Sequence, residues 1–269
     1  MKTIGMIGTG NMGSALIYGM LRSRLTAPEN ILVFDTDIKK CGALAKETGI
    51  LVARDNAELV ERSDVVILAV KPGVAPAVLE GLCAQFSQEK LLISIVLGLS
   101  LERLSKLTGG RARYVRCMPN TPALVGEGMT CIAAGDGVTE GDRAFLESLA
   151  SSVGKAEFLS EAALGKVTAL TGSSPAYIFV LIEAMADAAV ISGLPRDTAY
   201  RLASQAVLGS AKMALETGRH PGELKDMVCS PAGSTIEAIR VLEAKGFRSA
   251  VIEAMQACDR RADEISNGA

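Results

Sequence analysis

Tryptophan is absent from this 269-residue chain, aromatic residues make up only 4% of it, and it holds a single histidine. So few rings leave no platform on which single-stranded bases could stack. Of the six cysteines (Cys41, Cys83, Cys117, Cys131, Cys229 and Cys258) no two form a C-x-x-C pair, and with one histidine no zinc spacing arises, so no metal site is expected. Scattered through apolar contexts, these cysteines read as small core residues of a reduced, cytosolic protein. Neither sign of charge dominates: 28 Lys and Arg stand against 30 Asp and Glu, so neither nucleic acid nor an anionic membrane is an expected partner. Repeats and low-complexity tracts are missing too. The most apolar later stretch, residues 177–191, carries Glu183 and Asp187 and reads as too short to span a bilayer. The opening MKTIGMIGTGNMG enters a glycine-rich turn within a few residues, which reads as a first strand rather than a signal peptide.

What is present is 49% hydrophobic, enough for a substantial core and two domains. Up to about residue 161, short β-rich runs (TIGMIG, ILVFD, ILVA, DVVILAV, LLISIV, ARYVRCM, MTCIAAG) alternate with helical patterns near residues 11–24, 38–48, 74–86, 101–107 and 140–153. Several runs are continuously apolar, as strands buried on both faces must be. The rhythm predicts an α/β domain, a doubly wound, mostly parallel sheet over residues 1–161. From residue 162 to 269 strand signals vanish, and Ala, Leu, Met, Glu and Lys dominate between the breaks GSSP, GLP, GRHPG, SPAGS and KGF. Four or five helices are expected there. The helix covering residues 176–191 is apolar on more than one face, so its spare face must bury either within its own domain or against a partner chain.

The turn GTGNMG places Gly8, Gly10 and Gly13 as G-x-G-x-x-G, directly after a strand and opening a helix. Gly8 is expected to make the tight turn, Gly10 to let a pyrophosphate approach the backbone, and Gly13 to let helix and strand pack closely. The helix's first N–H groups then face the anion. Asp35 ends the second strand 22 positions beyond Gly13, where a carboxylate accepts hydrogen bonds from the adenosine ribose. It would repel a 2′-phosphate and favour NADH, with Lys39 and Lys40 as partial offsets; alternatively Asp35 or Asp37 simply caps the next helix. Lys71, at the carboxyl end of the fourth strand, leaves it sharply through Pro72 and is either a ligand contact or a solvated lysine. In RCMPNTPALVGEG two prolines bracket Asn120 and Thr121 and make a rigid loop at the ligand edge.

In the second half, Ser234-Thr235-Ile236-Glu237 has capping-box spacing after the SPAGS turn, so a helix is expected to begin at Ser234; it is either a well-capped helix and nothing more or one whose first N–H groups hold a small carboxylate. Ser173, Ser174 and Pro175 read as a cap for the helix that follows them. His220 precedes a proline in a turn and reads as structural rather than as a general acid. Glu183 and Asp187 read as salt-bridge or interface residues.

Taken together, IGTGNMG, LAVKP, RCMPNTPALVGEG, TALTGSSPAYIF, GLPRDTA, HPGELKDMVCSPAGSTIEAI and GFRSAVIEA resemble the pyrroline-5-carboxylate reductase family over nearly the whole chain. The resemblance implies a Rossmann domain followed by an all-helical dimerisation domain, a homodimer able to assemble further into a decamer, and reduction of 1-pyrroline-5-carboxylate to L-proline by NADPH or NADH. Carried over by motif, Gly8, Thr9, Gly10, Asn11 and Met12 would hold the pyrophosphate, with Gly13 closing the turn. Asn56, Ala69, Val70 and Lys71, with Pro72 beside them, would line the adenosine and ribose region, and Asn120 would sit near the nicotinamide. Ser230, Gly233, Ser234 and Thr235 would bind the substrate, with Thr235 as the catalytic residue. The chain departs from the family pattern at Ser174 and Ala232, where glycine is usual, and at Met227, where some relatives have asparagine. A β-hydroxyacid dehydrogenase shares the expected architecture, but no asparagine follows Lys166 along its helix as that family's motif requires. A non-catalytic dinucleotide sensor of the same fold is the other alternative.

Overall fold

Residues of alternating parity along the inner strands feed two separate cores. In the computed structural model, which describes residues 2–268, the strands are β1 (Ile4–Ile7), β2 (Ile31–Phe34), β3 (Leu51–Val52), β4 (Val65–Leu68), β5 (Leu91–Ser94), β6 (Arg113–Met118), β7 (Gly128–Ala134) and β8 (Gly154–Phe158). They form one sheet in the order β3-β2-β1-β4-β5-β6-β7-β8, parallel except where β7 runs against β6. Met6, Val33, Ile67 and Ile93 point to one face, under α1 (Asn11–Arg22), α2 (Ile38–Thr48) and α6 (Glu140–Ser151). Ile7, Leu32, Leu68 and Leu92 point to the other, under α3 (Asn56–Arg62), α4 (Ala75–Glu80) and α5 (Leu101–Leu107). Both faces are covered, which is why the runs read as unbroken apolar stretches. The strand order reverses between β1 and β4, and in open α/β sheets ligands bind beyond the carboxyl ends of the strands at such a point.

Local signals set most boundaries. The Asp37 carboxylate caps α2 by accepting the Lys40 N–H at 3.1 Å, and Ser100 caps α5 by accepting that of Arg103 at 3.1 Å. Two expected helices end elsewhere, and two further elements were not expected. Helix α1 stops at Arg22, two residues early, because Arg24 takes the left-handed conformation and the N–H of Leu25 closes back on the Met20 carbonyl. The run 74–86 breaks at Gly81 into α4 and a short 3₁₀ turn, Cys83–Gln85. Strand β8 and helix α3 are not announced by the sequence pattern at all.

After α7 (Glu161–Leu164) the chain makes a π turn, Thr168–Gly172, and continues as α8 (Ser174–Ile191), α9 (Arg196–Thr217), α10 (Pro221–Val228), α11 (Ser234–Ala244) and α12 (Phe247–Gly268). By its contacts the chain divides into two units, Met1–Ser173 with Cys258–Ala269, and Ser174–Ala257. Within the second, α8 buries only Ala186 among its 18 residues, while Phe179 is 63% and Ile191 88% exposed. At 18 residues α8 is longer than the run read from sequence, and by length and composition alone it passes for a membrane span. It nevertheless carries Glu183 and Asp187, the latter ion-paired with Arg196.

Candidate active site

The glycine turn is built as its spacing predicts. Gly8 has φ +97°, and a Cβ there would stand 2.6 Å from the Ala69 carbonyl oxygen. A Cβ on Gly13 would meet the Gly8 carbonyl oxygen at 2.4 Å, so α1 can approach the strand only through glycine. A Cβ on Gly10 would meet no atom within 4 Å: this residue faces open space and is the uncapped N-cap of α1. Asn11 is the first residue of that helix.

The space in front of Gly8 and Gly10 is a cavity of about 380 Å³, walled also by Asp35, Thr36, Asn56, Ala69, Val70 and Lys71. Ala69 and Val70 separate it from a second cavity of about 340 Å³, which Met12 helps to wall. The sheet thus brings together residues from β1, β2, β4 and the start of α3. Asn56 leaves its Oδ1 buried with no partner among the described residues. An orphaned acceptor beside an open glycine edge fits a bound dinucleotide, whose ribose and adenine supply donors.

Asp35 is tied to the turn rather than to helix α2. Its Oδ2 accepts the Thr9 N–H at 2.7 Å and the Thr9 hydroxyl at 3.2 Å, while Oδ1 accepts the Asp37 N–H at 3.0 Å. Partial burial works to raise its pKa. The Thr9 and Asp37 N–H groups, the Thr9 hydroxyl and the charge of Lys40 outweigh it and hold the carboxyl below its ordinary range. The capping alternative therefore falls to Asp37. Thr9 itself is fully buried and spent on this contact. Pro72 follows as part of the turn into α4, its carbonyl accepting the Ala75 N–H at 3.3 Å.

The second cavity shows what spacing could not. Ile95, Val96 and Leu97 from the end of β5, and Arg116, Cys117, Met118 and Pro119 from β6 and its exit, line it beside Thr168 and Gly172 of the π turn. Arg116 also walls a neighbouring cavity of about 480 Å³. Its Nη1 donates to Glu161 Oε1 at 2.8 Å, and the same oxygen accepts the Leu101 N–H at 2.7 Å. The RCMPNTP run pointed to Arg116, Cys117, Met118 and Pro119, whereas Ile95, Val96 and Leu97 had only the rule that ligands sit at carboxyl ends of strands. Asn120 does not wall either cavity. Cys117 is no nucleophile: burial, helped by Cys131, pushes its thiol up to about 12. Among the described residues no three His, Cys, Asp or Glu side chains are placed to share a metal ion.

In the helical unit, α11 begins at Ser234 as expected, but the capping box does not form. Its N-cap is Gly233, no side chain caps it, and Glu237 is forked onto Arg240 at 2.6–3.0 Å. The turn before it is tight: Gly233 N–H donates to the Ser230 carbonyl at 3.0 Å, and a Cβ on Gly233 would lie 2.3 Å from Ser230 Oγ. Ala232 sits at φ +57°. Ser230, Gly233, Ser234 and Thr235 are therefore gathered around one uncapped helix start, where backbone N–H groups and the helix dipole favour an anion. His220 is a cap, its Nδ1 accepting the Gly222 N–H at 3.0 Å at the head of α10.

Comparison with known proteins bears on both units. Residues 161–265 match the family model for pyrroline-5-carboxylate reductase dimerisation, and residues 3–98 match that for NADP oxidoreductase, coenzyme F420-dependent. The pyrroline-5-carboxylate reductase of Escherichia coli is 47% identical, and that of Methanosarcina acetivorans 46%, each over 98% of both chains. Among solved structures, the Coxiella burnetii enzyme superposes with TM-score 0.91 at 37% identity over 98% of both chains. The Plasmodium falciparum enzyme, with NADP bound, superposes with TM-score 0.89 at 31% identity, again over 98% of both. The exposed apolar face of α8 thus belongs to a dimerisation domain, and the cavity before the glycine turn to an NAD(P)H-dependent oxidoreductase: the chain belongs to the pyrroline-5-carboxylate reductase family.

Proposed function

We propose that the protein reduces 1-pyrroline-5-carboxylate to L-proline, the last step of proline biosynthesis, with reducing equivalents from NAD(P)H. The observation that carries this reading is similarity of 46–47% identity to enzymes of that name across 98% of the chain. The bound dihydronicotinamide supplies the hydride for the C=N carbon. Everything else is positioning and electrostatics by the protein. Gly8, Gly10, Asn11 and Met12 at the N-terminus of α1 hold the pyrophosphate, with Thr9 and Gly13 shaping the turn. Asp35, Asn56 and Ala69 to Pro72 hold the adenosine half, and Asn120 orders the loop beside the second cavity. Ser230, Gly233 and Ser234 bind the substrate carboxylate at the start of α11, which fixes the face of the ring that is presented. Thr235 hydrogen-bonds the ring nitrogen through Oγ1 and steadies the amine as it forms. The substrate binds with its ring nitrogen already protonated, and such an iminium draws hydride to give the neutral amine, so no strong acid is required. Fixing two reactants in contact contributes roughly 7–11 kcal/mol in the best cases.

Residues 1–161 serve as the cofactor half and 162–269 as the helical half of this reading. A homodimer is the working unit, with assembly to a decamer and a cytoplasmic location. Loss of reduced-nicotinamide absorbance on adding pyrroline-5-carboxylate, with proline identified as product, is the direct test. No oxidation of either NADH or NADPH would overturn the reading, and light scattering settles the assembly.

A further inference from the structure

We infer that Asp35 makes NADH, rather than NADPH, the preferred reductant, by accepting a hydrogen bond from the adenosine ribose and standing where a 2′-phosphate would have to lie. The inference rests on the cofactor site proposed above. Three features carry it. Asp35 is on the wall of the 380 Å³ cavity, at the carboxyl end of β2 and beside Gly8, Gly10 and Asn56. Its carboxylate cannot swing away from an incoming phosphate, because the backbone N–H groups of Thr9 and Asp37 grip it from two sides at 2.7 and 3.0 Å. It is also not saturated: an ionised carboxylate accepts about four hydrogen bonds, and Thr9 and Asp37 donate three close ones, which leaves room for a ribose hydroxyl.

Lys40 acts on the Asp35 carboxylate through its charge, yet it is not placed to receive a phosphate at the ribose. Lys39 and Lys40 are exposed and do not line the cavity, and Lys40 gives its backbone N–H to the Asp37 cap. Lys71 does line it, but it follows β4, and the strand order β2-β1-β4 puts it two strand spacings, about 10 Å, from the strand that carries Asp35. A phosphate bearing close to two negative charges would therefore meet a fixed carboxylate without a partner of its own.

The test pairs binding with turnover. Isothermal titration of the unliganded enzyme with ADP-ribose and with 2′-phospho-ADP-ribose reads the discrimination without any chemistry. Steady-state kcat/KM for NADH and NADPH then reads it in turnover. Both ratios are expected to favour the unphosphorylated form by about tenfold or more, the effect of one like-charge contact near a protein surface. Asp35→Asn keeps an oxygen for the Thr9 N–H while removing the charge, and should bring both ratios close to one. Should that variant unfold, Thr36→Arg leaves the Thr9 contact intact and adds a cation at the exit of β2. It should raise affinity for the phosphorylated fragment alone. Equal or tighter binding of 2′-phospho-ADP-ribose by the wild type overturns the inference, as does a folded Asp35→Asn with unchanged ratios or a Thr36→Arg indifferent to the phosphate. Binding of neither fragment would bring down the cofactor-site reading itself.

Discussion

Asn120 donates from Nδ2 to the Thr171 carbonyl at 2.9 Å, while its Oδ1 accepts the Met129 N–H at 2.9 Å. One amide thus joins the loop after β6, the start of β7 and the π turn that borders the second cavity. Both ends of the side chain are engaged within the protein, so Asn120 acts by ordering that wall. Asn120→Ala strands a carbonyl and an N–H and should cost about 1–3 kcal/mol for each group left buried. Asn120→Asp keeps the acceptor for Met129 but turns a carboxylate on the Thr171 carbonyl, and should be no better. Urea midpoints measure this. An unmoved midpoint together with weakened cofactor binding would show instead that the amide touches the nicotinamide.

Asp142 is the most constrained carboxylate in the sheet unit. Its side chain is 2% exposed and receives Arg113 Nε at 2.8 Å, Lys2 Nζ at 2.8 Å and the Thr139 hydroxyl at 2.8 Å. Burial pushes its pKa up, but Arg113, Lys2 and Thr139 together pull it far below the ordinary carboxylate range. A folded pKa depressed in this way stabilises the protein at every pH above the unfolded value of about 3.9, and the stabilisation is lost as pH falls through the folded value. Asp142→Asn should cost about 3 kcal/mol at neutral pH, because Arg113 and Lys2 lose their counter-charge while staying partly hydrated. Denaturant midpoints followed from pH 7 to strong acid should fall more steeply below about pH 4 for the wild type than for the variant, in which Asp35 and the other depressed carboxylates still titrate. Parallel curves would exclude Asp142 as the source.

How much of this could be read in advance depends on where the determinant lies. Helices α2 and α5 were bounded correctly because Asp37, Ser100 and Gly49 are local signals at their ends. The end of α1 was missed because Arg24 holds the left-handed position that glycine usually marks. Strand β8 (GKAEF) lies at the sheet edge with alternating half-exposed residues, so it lacks the apolar run that announced the inner strands. In α11 the S-x-x-E spacing was real but misread: Glu237 found Arg240 one turn on, a partner that competes with the cap. The glycine turn was legible because its geometry demands glycine at fixed spacing. Arg116 and Met118 were reached through the proline-bracketed RCMPNTP run, whereas Ile95 and Leu97 were not, since strand order alone brings them to the same cavity.

Ala232 and Gly233 make an internal contrast. Holding an L-residue at φ +57° costs roughly 1–2 kcal/mol. Ala232→Gly removes that cost but gains unfolded-state entropy worth about 0.4–1 kcal/mol, so the net result should lie between no change and a stabilisation of about 1.6 kcal/mol. Gly233→Ala goes the other way, since its Cβ would displace the Ser230 hydroxyl from 2.3 Å and crowd the Ser230 carbonyl at 3.1 Å. Under the proposed function that disturbance falls on the substrate loop and should raise KM for pyrroline-5-carboxylate with little change in cofactor Kd. Thermal melts and steady-state kinetics on the two variants separate strain from site geometry.

Thr235 is the second residue of α11, half-buried at a helix start that no side chain caps. Ser234 precedes it on the same turn, so the two hydroxyls are placed for different tasks. A backbone-bound carboxylate needs only N–H groups, which leaves the Thr235 hydroxyl for the ring nitrogen. Thr235→Ala should therefore lower kcat by about tenfold to a hundredfold, the worth of one hydrogen bond to a charged group at roughly 1.5–3 kcal/mol, and leave NADH affinity alone. Thr235→Ser retains the hydroxyl and should recover most of the rate, whereas the near-isosteric Thr235→Val should resemble alanine. If valine matched serine, the side chain would be serving as packing, and the hydroxyl would have no part in the transfer.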